Sequence, residues 1–523
     1  MAYDIIIKNG TVIDGVKNEG YRADVAVSKD KIKTVGNLAK TKADLIIDAT
    51  DQYVAPGFID IQNHSDSYLT LLEIPSQESL VRQGVTSIVV GHCGASLAPL
   101  PEPGALKSVQ KWHSLVGANV DWLSFPEYLL SLEKYQFGVN VASLVGHATI
   151  RRGIIGDSAR AATAEEIKII GRILEESLDA GGGGASLGLA YAHEVDSSQE
   201  ELEAVARLVS AREKILSVHL RSDSSHVVDA VGETITLAAS CKARAKISHL
   251  KIRGRENWRY LDQLLGLLDR AYQQGTDIFF DAYPYTTSWT VLYTYLPKWA
   301  YQGGKKAILQ NLRSQTSRKN ILAYLREQEH NLENILIASS ETNPGLVGKT
   351  LKEIARNNEV KVEEALLNVL TATNGQAVVF DHNLSPEVTE TLLKHPLSVV
   401  ASDGAGHDFS NIRGRNLPHP RCFGTFPKFL SMVRDKKILS WGEAIKKITS
   451  RPAEKIGLAN RGKISPRASG DIVIFDPNTI GSSSTYENPY REPDGINHVL
   501  VNGKIAYTTS TVASSLSGRV IRL

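Results

Sequence analysis

Ile215-Leu216-Ser217-Val218-His219 and Lys246-Ile247-Ser248-His249 are two β-type runs, each closed by a histidine and separated by a stretch of helical length. Strand, helix and strand in that order describe a parallel pair joined by a crossover. The same texture continues outward in both directions. Apolar runs of strand length lie near Gly57–Ile61, Ser87–Gly91, Val139–Val145, Ala185–Leu189, Leu216–Leu220, Ala245–Leu250, Asp277–Tyr283 and Leu397–Ser402, with longer helical patterns between them. Eight such units predict an α/β chain built on a (β/α)8 barrel of the TIM type, in which catalytic residues sit at the C-terminal ends of the strands.

The two ends of the chain read differently. Tyr3-Asp4-Ile5-Ile6-Ile7-Lys8 alternates, turns at Asn9-Gly10 and resumes with Val12-Ile13. Similar texture returns at Asp471-Ile472-Val473-Ile474-Phe475 and His498-Val499-Leu500-Val501. These are short antiparallel strands, and residues 1–54 and 463–523 are expected to build one small β-sandwich, leaving 55–462 for the barrel. Residues 288–349 exceed an ordinary loop and predict an inserted subdomain, helical over Lys305–Gln328. Its aromatics Trp289, Tyr293, Tyr295, Trp299 and Tyr301 form either a lid beside the site or the packing of the insertion itself. Trp441–Gly457 reads as a helix opened by Ser440 and Glu443 in capping-box spacing and interrupted at Arg451-Pro452.

Composition narrows the class of partner. Lys+Arg total 59 against 57 for Asp+Glu, and a net charge of +2 provides no basic field for a nucleic-acid backbone. No window carries the ~18 apolar residues of a membrane span, and Met1-Ala2-Tyr3-Asp4 opens no signal-type segment. A cytoplasmic enzyme with a small-molecule substrate is expected, monomeric or a small homo-oligomer. Three cysteines, Cys93, Cys241 and Cys422, form no disulfide framework.

His219 and His249 end neighbouring predicted barrel strands, so their imidazoles can converge on one metal ion. Cys93, in Gly91-His92-Cys93-Gly94 directly after Ser87-Ile88-Val89-Val90, also stands at a strand end, between small neighbours that permit a thiolate ligand's close approach. Cys241 and Cys422 lack that context and read as structural. Asp403 follows the last predicted strand and reads as the carboxylate that moves a proton from water to the leaving group. His92 and His147 read as polar lining of the mouth. Gly181–Gly184 lacks a phosphate loop's lysine and reads as a tight turn into the fourth strand.

Pro56-Gly57-Phe58-Ile59-Asp60-Ile61-Gln62-Asn63-His64 resembles the first-strand motif of the amidohydrolase superfamily, with Gln62 in place of the first of two histidines and His64 as the second. Gly146-His147-Ala148-Thr149-Ile150-Arg151-Arg152, Asp281-Ala282-Tyr283-Pro284-Tyr285, Ser402-Asp403-Gly404, His419-Pro420-Arg421 and Gly424-Thr425-Phe426 narrow the resemblance to the D-aminoacylases, the N-acyl-D-amino-acid deacylases, over nearly the whole chain. The resemblance implies a tight zinc site on Cys93, His219 and His249. It also implies a weaker second site drawing on His64, the shared Cys93 and Asp403, which Gln62 weakens because an amide is a poor substitute for imidazole. It places the substrate carboxylate on Arg421 and Tyr283, a guanidinium offering paired donors. Trp289 falls on the place of a carboxylate-binding serine, and Ser288 is the neighbouring hydroxyl able to compensate.

The expected reaction is zinc-dependent hydrolysis of N-acyl-D-amino acids, with Asp403 as general base and then acid. Two other readings are open at this level: hydrolysis of a cyclic amide or dipeptide on the same barrel, and a ligand-binding relic without catalysis.

Overall fold

The structure is a computed structural model describing residues 3–108, 120–328, 331–409, 416–509 and 515–523. Eight parallel strands form its centre: β1 (Phe58–Asp60), β2 (Val85–Val90), β3 (Asn140–Ser143, continued at Val145–Gly146), β4 (Gly184–Gly188), β5 (Ile215–His219), β6 (Arg244–Ile247), β7 (Ile278–Ala282) and β8 (Ser398–Val400). Each pairs in parallel with the next in chain order. β8 returns to β1 through a parallel bridge between Gly404 and Asn63, where Asp403 N donates to Gln62 O at 2.9 Å and His64 N to Gly404 O at 2.7 Å. The ring thus closes, and all eight predicted strands are present.

Helices cover the outside because their apolar residues recur at helical spacing. In Ala164–Asp179 the buried Ile167, Ile170, Leu174 and Leu178 make one stripe. Thr163 starts that helix by accepting from Glu166 N, and Glu166 reaches back to Thr163 N at 2.7 Å. With both faces covered, the strands read as continuous buried runs, as in Val85–Val90. Inside the ring Ile59, Val89, Leu144, Ile215, Phe279 and Val399 pack together, and Ile456 and Leu458 join them. The turn before β4 needs glycine: Gly184 has φ +148°, and a Cβ there would stand 1.9 Å from Ile215 O.

Both chain ends contribute to the packed sheets beside the barrel. One sheet runs Lys504–Thr508, Ile496–Val501, Ile472–Phe475, Tyr53–Pro56, Thr11–Val12, Tyr21–Arg22, and the other Lys31–Gly36, Asp24–Ser28, Tyr3–Lys8, Ala43–Asp48. Ile5, Ile7, Val25, Val54, Ile474 and Leu500 fill the space between.

Three expectations are revised. The sheet beginning at Ser288–Val291 takes its middle strand from Val378–Asp381, with Leu336–Ser339 on the far side, so the antiparallel unit continues well past Lys349. Its predicted helix is two, Gly304–Arg313 and Gln315–Glu327, because Ser314 leaves helical geometry and caps the second. The helix from Trp441 stops at Ile448, at Thr449 and not at Pro452. Pro452 lies in the first turn of the helix Ser450–Ile456, where an N–H has no partner to lose. Among the described residues no helix is long and apolar enough to cross a membrane.

Candidate metal centre

His219 is the last residue of β5, His249 lies two residues beyond β6 and Cys93 three beyond β2. The ring brings these ends to one mouth, and a donor atom from each lies within 4.8 Å of the others. Cys93 Sγ stands 3.4 Å from His249 Nε2, and His219 Nδ1 stands 2.9 Å from the same nitrogen. Tetrahedral zinc with bonds of ~2.3 Å to sulfur and ~2.0–2.1 Å to nitrogen holds its ligands about 3.3–3.6 Å apart. The Cys93–His249 separation falls in that range and the two imidazole nitrogens stand somewhat closer, so the three donors converge as the ligands of one such ion would. Burial, with Lys251 beside it, keeps the His249 imidazole well below its ordinary value, so the ring is neutral and offers a lone pair.

The backbone at the mouth is held in an unusual conformation. Cys93, His249 and Asp403 all have positive φ, at 55°, 38° and 51°. Each costs on the order of 1–3 kcal/mol outside glycine and persists only where the surroundings impose it. His249 N donates to Asp281 Oδ1 at 2.9 Å, and Gly404 N to Ser402 Oγ at 2.9 Å. Beside Cys93, Gly94 has φ +77°, and a Cβ there would lie 1.9 Å from Glu194 Oε2.

Asp403 faces the cluster from β8. Its Oδ1 is 3.0 Å from His64 Nε2 and its Oδ2 is 2.8 Å from Arg421 Nη2. Burial pushes the carboxyl up, but Arg421 and His64 outweigh it and hold it well below the usual carboxylate range. Asp403 is therefore held as an anion. Arg421, itself buried, is used only in part by this pair: among the described residues its Nε and Nη1 have no hydrogen-bond partner, and neither have Tyr283 Oη and Trp289 Nε1. The guanidinium sits 4.8 Å from the Tyr283 ring and 5.2 Å from the Trp289 ring. Four buried donors thus line one corner of a cavity of about 330 Å³ that also exposes Cys93, His219 and His249.

Ser288 is turned to other partners, its single hydroxyl proton facing Asn383 Oδ1 at 3.0 Å with Asp381 O at 3.3 Å. Trp289, Tyr295 and Tyr301 line the cavity, Tyr293 is buried in the packing of the insertion, and Trp299 is exposed and does neither. His92 is buried against Val89 O and Ser217 Oγ, outside the three-residue cluster. Cys422 accepts from Ala405 N at 3.4 Å, and burial pushes its thiol up to about 12, which suits a structural thiol.

Three charged residues around the cluster were not singled out in the sequence as part of the site. Lys246 and Asp281 form a fully buried ion pair at 2.7 Å directly beneath the cluster. Glu194 accepts from Gly188 N and braces the Cys93 loop. A charged residue inside an otherwise apolar strand run was the available signal for the first two.

His147 is more than polar lining, since it joins Glu194 at 2.6 Å and Glu201 at 3.1 Å. Burial lowers its pKa, but the two carboxylates outweigh burial and raise it from 6.5 to about 9. Its stabilising contribution is therefore complete below about pH 6.5 and is lost as pH rises through about 9. Denaturant unfolding between pH 6 and 10 is expected to show this decline in the wild type and a shallower one in His147→Gln. Parallel curves would contradict the assignment.

A family model described as the amidohydrolase family matches residues 45–507. An N-acyl-D-glutamate deacylase of Alcaligenes xylosoxydans xylosoxydans is 32% identical over 520 residues, covering 99% of this chain and 96% of that one. The crystal structure of an N-acyl-D-glutamate deacylase from Bordetella bronchiseptica, complexed with zinc and a phosphonate inhibitor, superposes with a TM-score of 0.85 at 30% identity over 100% of both chains. A D-aminoacylase structure concerned with a binuclear metal centre, with one-metal activation and second-metal attenuation, gives 0.84 at 30% identity over the same coverage.

Proposed function

The chain belongs to the amidohydrolase family, and from that membership we propose that it is a D-aminoacylase, cleaving the amide bond of N-acyl-D-amino acids to a carboxylate and a free D-amino acid. The observation that carries this reading is the convergence of Cys93, His219 and His249 beside the Asp403–Arg421 pair in one cavity. Cys93, His219 and His249 would hold a zinc ion, and His64 stands beside them. Bound there, zinc supplies Lewis acidity, which polarises a carbonyl and acidifies water.

Asp403 carries the proton. It accepts one from the water that adds to the amide carbon, and returns it to nitrogen as the C–N bond breaks. His64 and Arg421 keep its two oxygens oriented throughout. The substrate carboxylate belongs against Arg421 Nε and Nη1 and Tyr283 Oη, because unpaired buried donors are costly and a carboxylate satisfies several at once. Trp289 brings an indole N–H to the same corner, replacing the donor that a serine would have given. A cytoplasmic setting suits three cysteines that are all free thiols.

A substrate panel tests the reading. Zinc-loaded protein is expected to turn over N-acetyl-D-methionine in preference to its L-enantiomer, hydantoin, dihydropyrimidine and isoaspartyl dipeptides. Masking the substrate carboxylate as an amide is expected to lower kcat/KM by on the order of 10–100-fold, from the ~1.5–3 kcal/mol of hydrogen bonds to a charged group. Turnover confined to a cyclic amide or dipeptide, or no amide turnover at all, would overturn it.

A further inference from the structure

Lys246 projects from β6 into the barrel and is 0% exposed. An ammonium has three donors and no acceptor. Those of Lys246 reach Asp281 Oδ2 at 2.7 Å, Ile61 O at 3.4 Å and Gln62 Oε1. Only the oxygen of the Gln62 amide can face this cation, since the opposite orientation would set NH2 against ammonium. The amide hydrogens are therefore turned toward the cluster, with Nε2 3.6 Å from Cys93 Sγ and 3.4 Å from His64 Nε2. A metal ion needs lone pairs, and this side chain presents donors. The other second-site candidates are engaged as well: His64 with Asp403 at 3.0 Å, and Asp403 with Arg421 at 2.8 Å.

We propose that the buried Lys246 ammonium, clamped by Asp281, takes the place of a second metal ion: it locks Gln62 with its amide hydrogens toward Cys93 and His64 and closes that half of the centre. This rests on the reading of Cys93, His219 and His249 as the zinc ligands. Lys246 is a positioning residue that acts through Gln62. Asp281 ties the device to the first site, because its other oxygen accepts from His249 N. A second ion would meet a fixed positive charge in a water-poor interior, where repulsion is weakly screened.

Equilibrium dialysis against graded free zinc, followed by elemental analysis, reads the metal content per chain. One zinc is expected in the wild type even at large excess, and still one in Gln62→His, because the ammonium remains. Two are expected in Gln62→His/Lys246→Met. If that variant fails to fold through the anion left on Asp281, adding Asp281→Asn removes the unpaired charge, and two zinc ions are again expected. Two zinc ions in the wild type or in Gln62→His alone would overturn the role of Lys246 while leaving the zinc-hydrolase reading intact. A single zinc in the folded multiple variants would overturn it too. No zinc in any form would overturn the reading and this inference together.

Discussion

Asp403→Asn is expected to lower kcat on N-acetyl-D-methionine by about 10²–10⁴-fold, the range lost with a general acid–base group, while zinc content stays unchanged. The substitution keeps the shape of the side chain and one oxygen for Arg421 or His64, but an amide cannot hold the proton in transit. The wild-type carboxylate is ionised because Arg421 and His64 outweigh its burial. It meets both requirements of a base, a vacant lone pair and a place beside the cluster. Rates and metal content measured on the same preparation check the claim. A loss under about tenfold would remove Asp403 from the chemistry, and a loss accompanied by zinc release would make it a ligand.

Cys93→Ala is expected to abolish both stoichiometric zinc and activity. Changes to outer-shell partners typically cost ~10–100-fold in metal affinity, and removal of the sulfur takes away one of three donors outright. His219 and His249 would remain, and two imidazoles alone form no closed site. Because Cys93 is buried beneath a positive-φ turn between Gly91 and Gly94, the smaller alanine fits the space. Loss of metal with an unchanged unfolding transition would separate ligand loss from misfolding. Retained zinc and turnover would contradict the assignment.

The barrel was legible because each strand is an apolar run bounded by helical pattern, and burial on both faces leaves that signature. Cys93, His219, His249 and Asp403 were legible because a strand end is a position that sequence marks. Pairings across the ring were not. Gln62 and Lys246 stand 184 residues apart, just beyond β1 and on β6, and nothing local in either segment announces the other. Arg421 was expected to face substrate, and one of its nitrogens also holds Asp403, a pairing that the sequence does not mark. The insertion was read as ending near Lys349 because Val378–Asp381 resembles any short apolar strand, and its partners lie far back in the chain.

X-ray absorption at the zinc edge of the loaded protein tests the central assignment most directly. One sulfur at about 2.3 Å with imidazole nitrogens at about 2.0–2.1 Å is predicted for an ion on Cys93, His219 and His249. A shell of nitrogen and oxygen alone, with no sulfur, would contradict it.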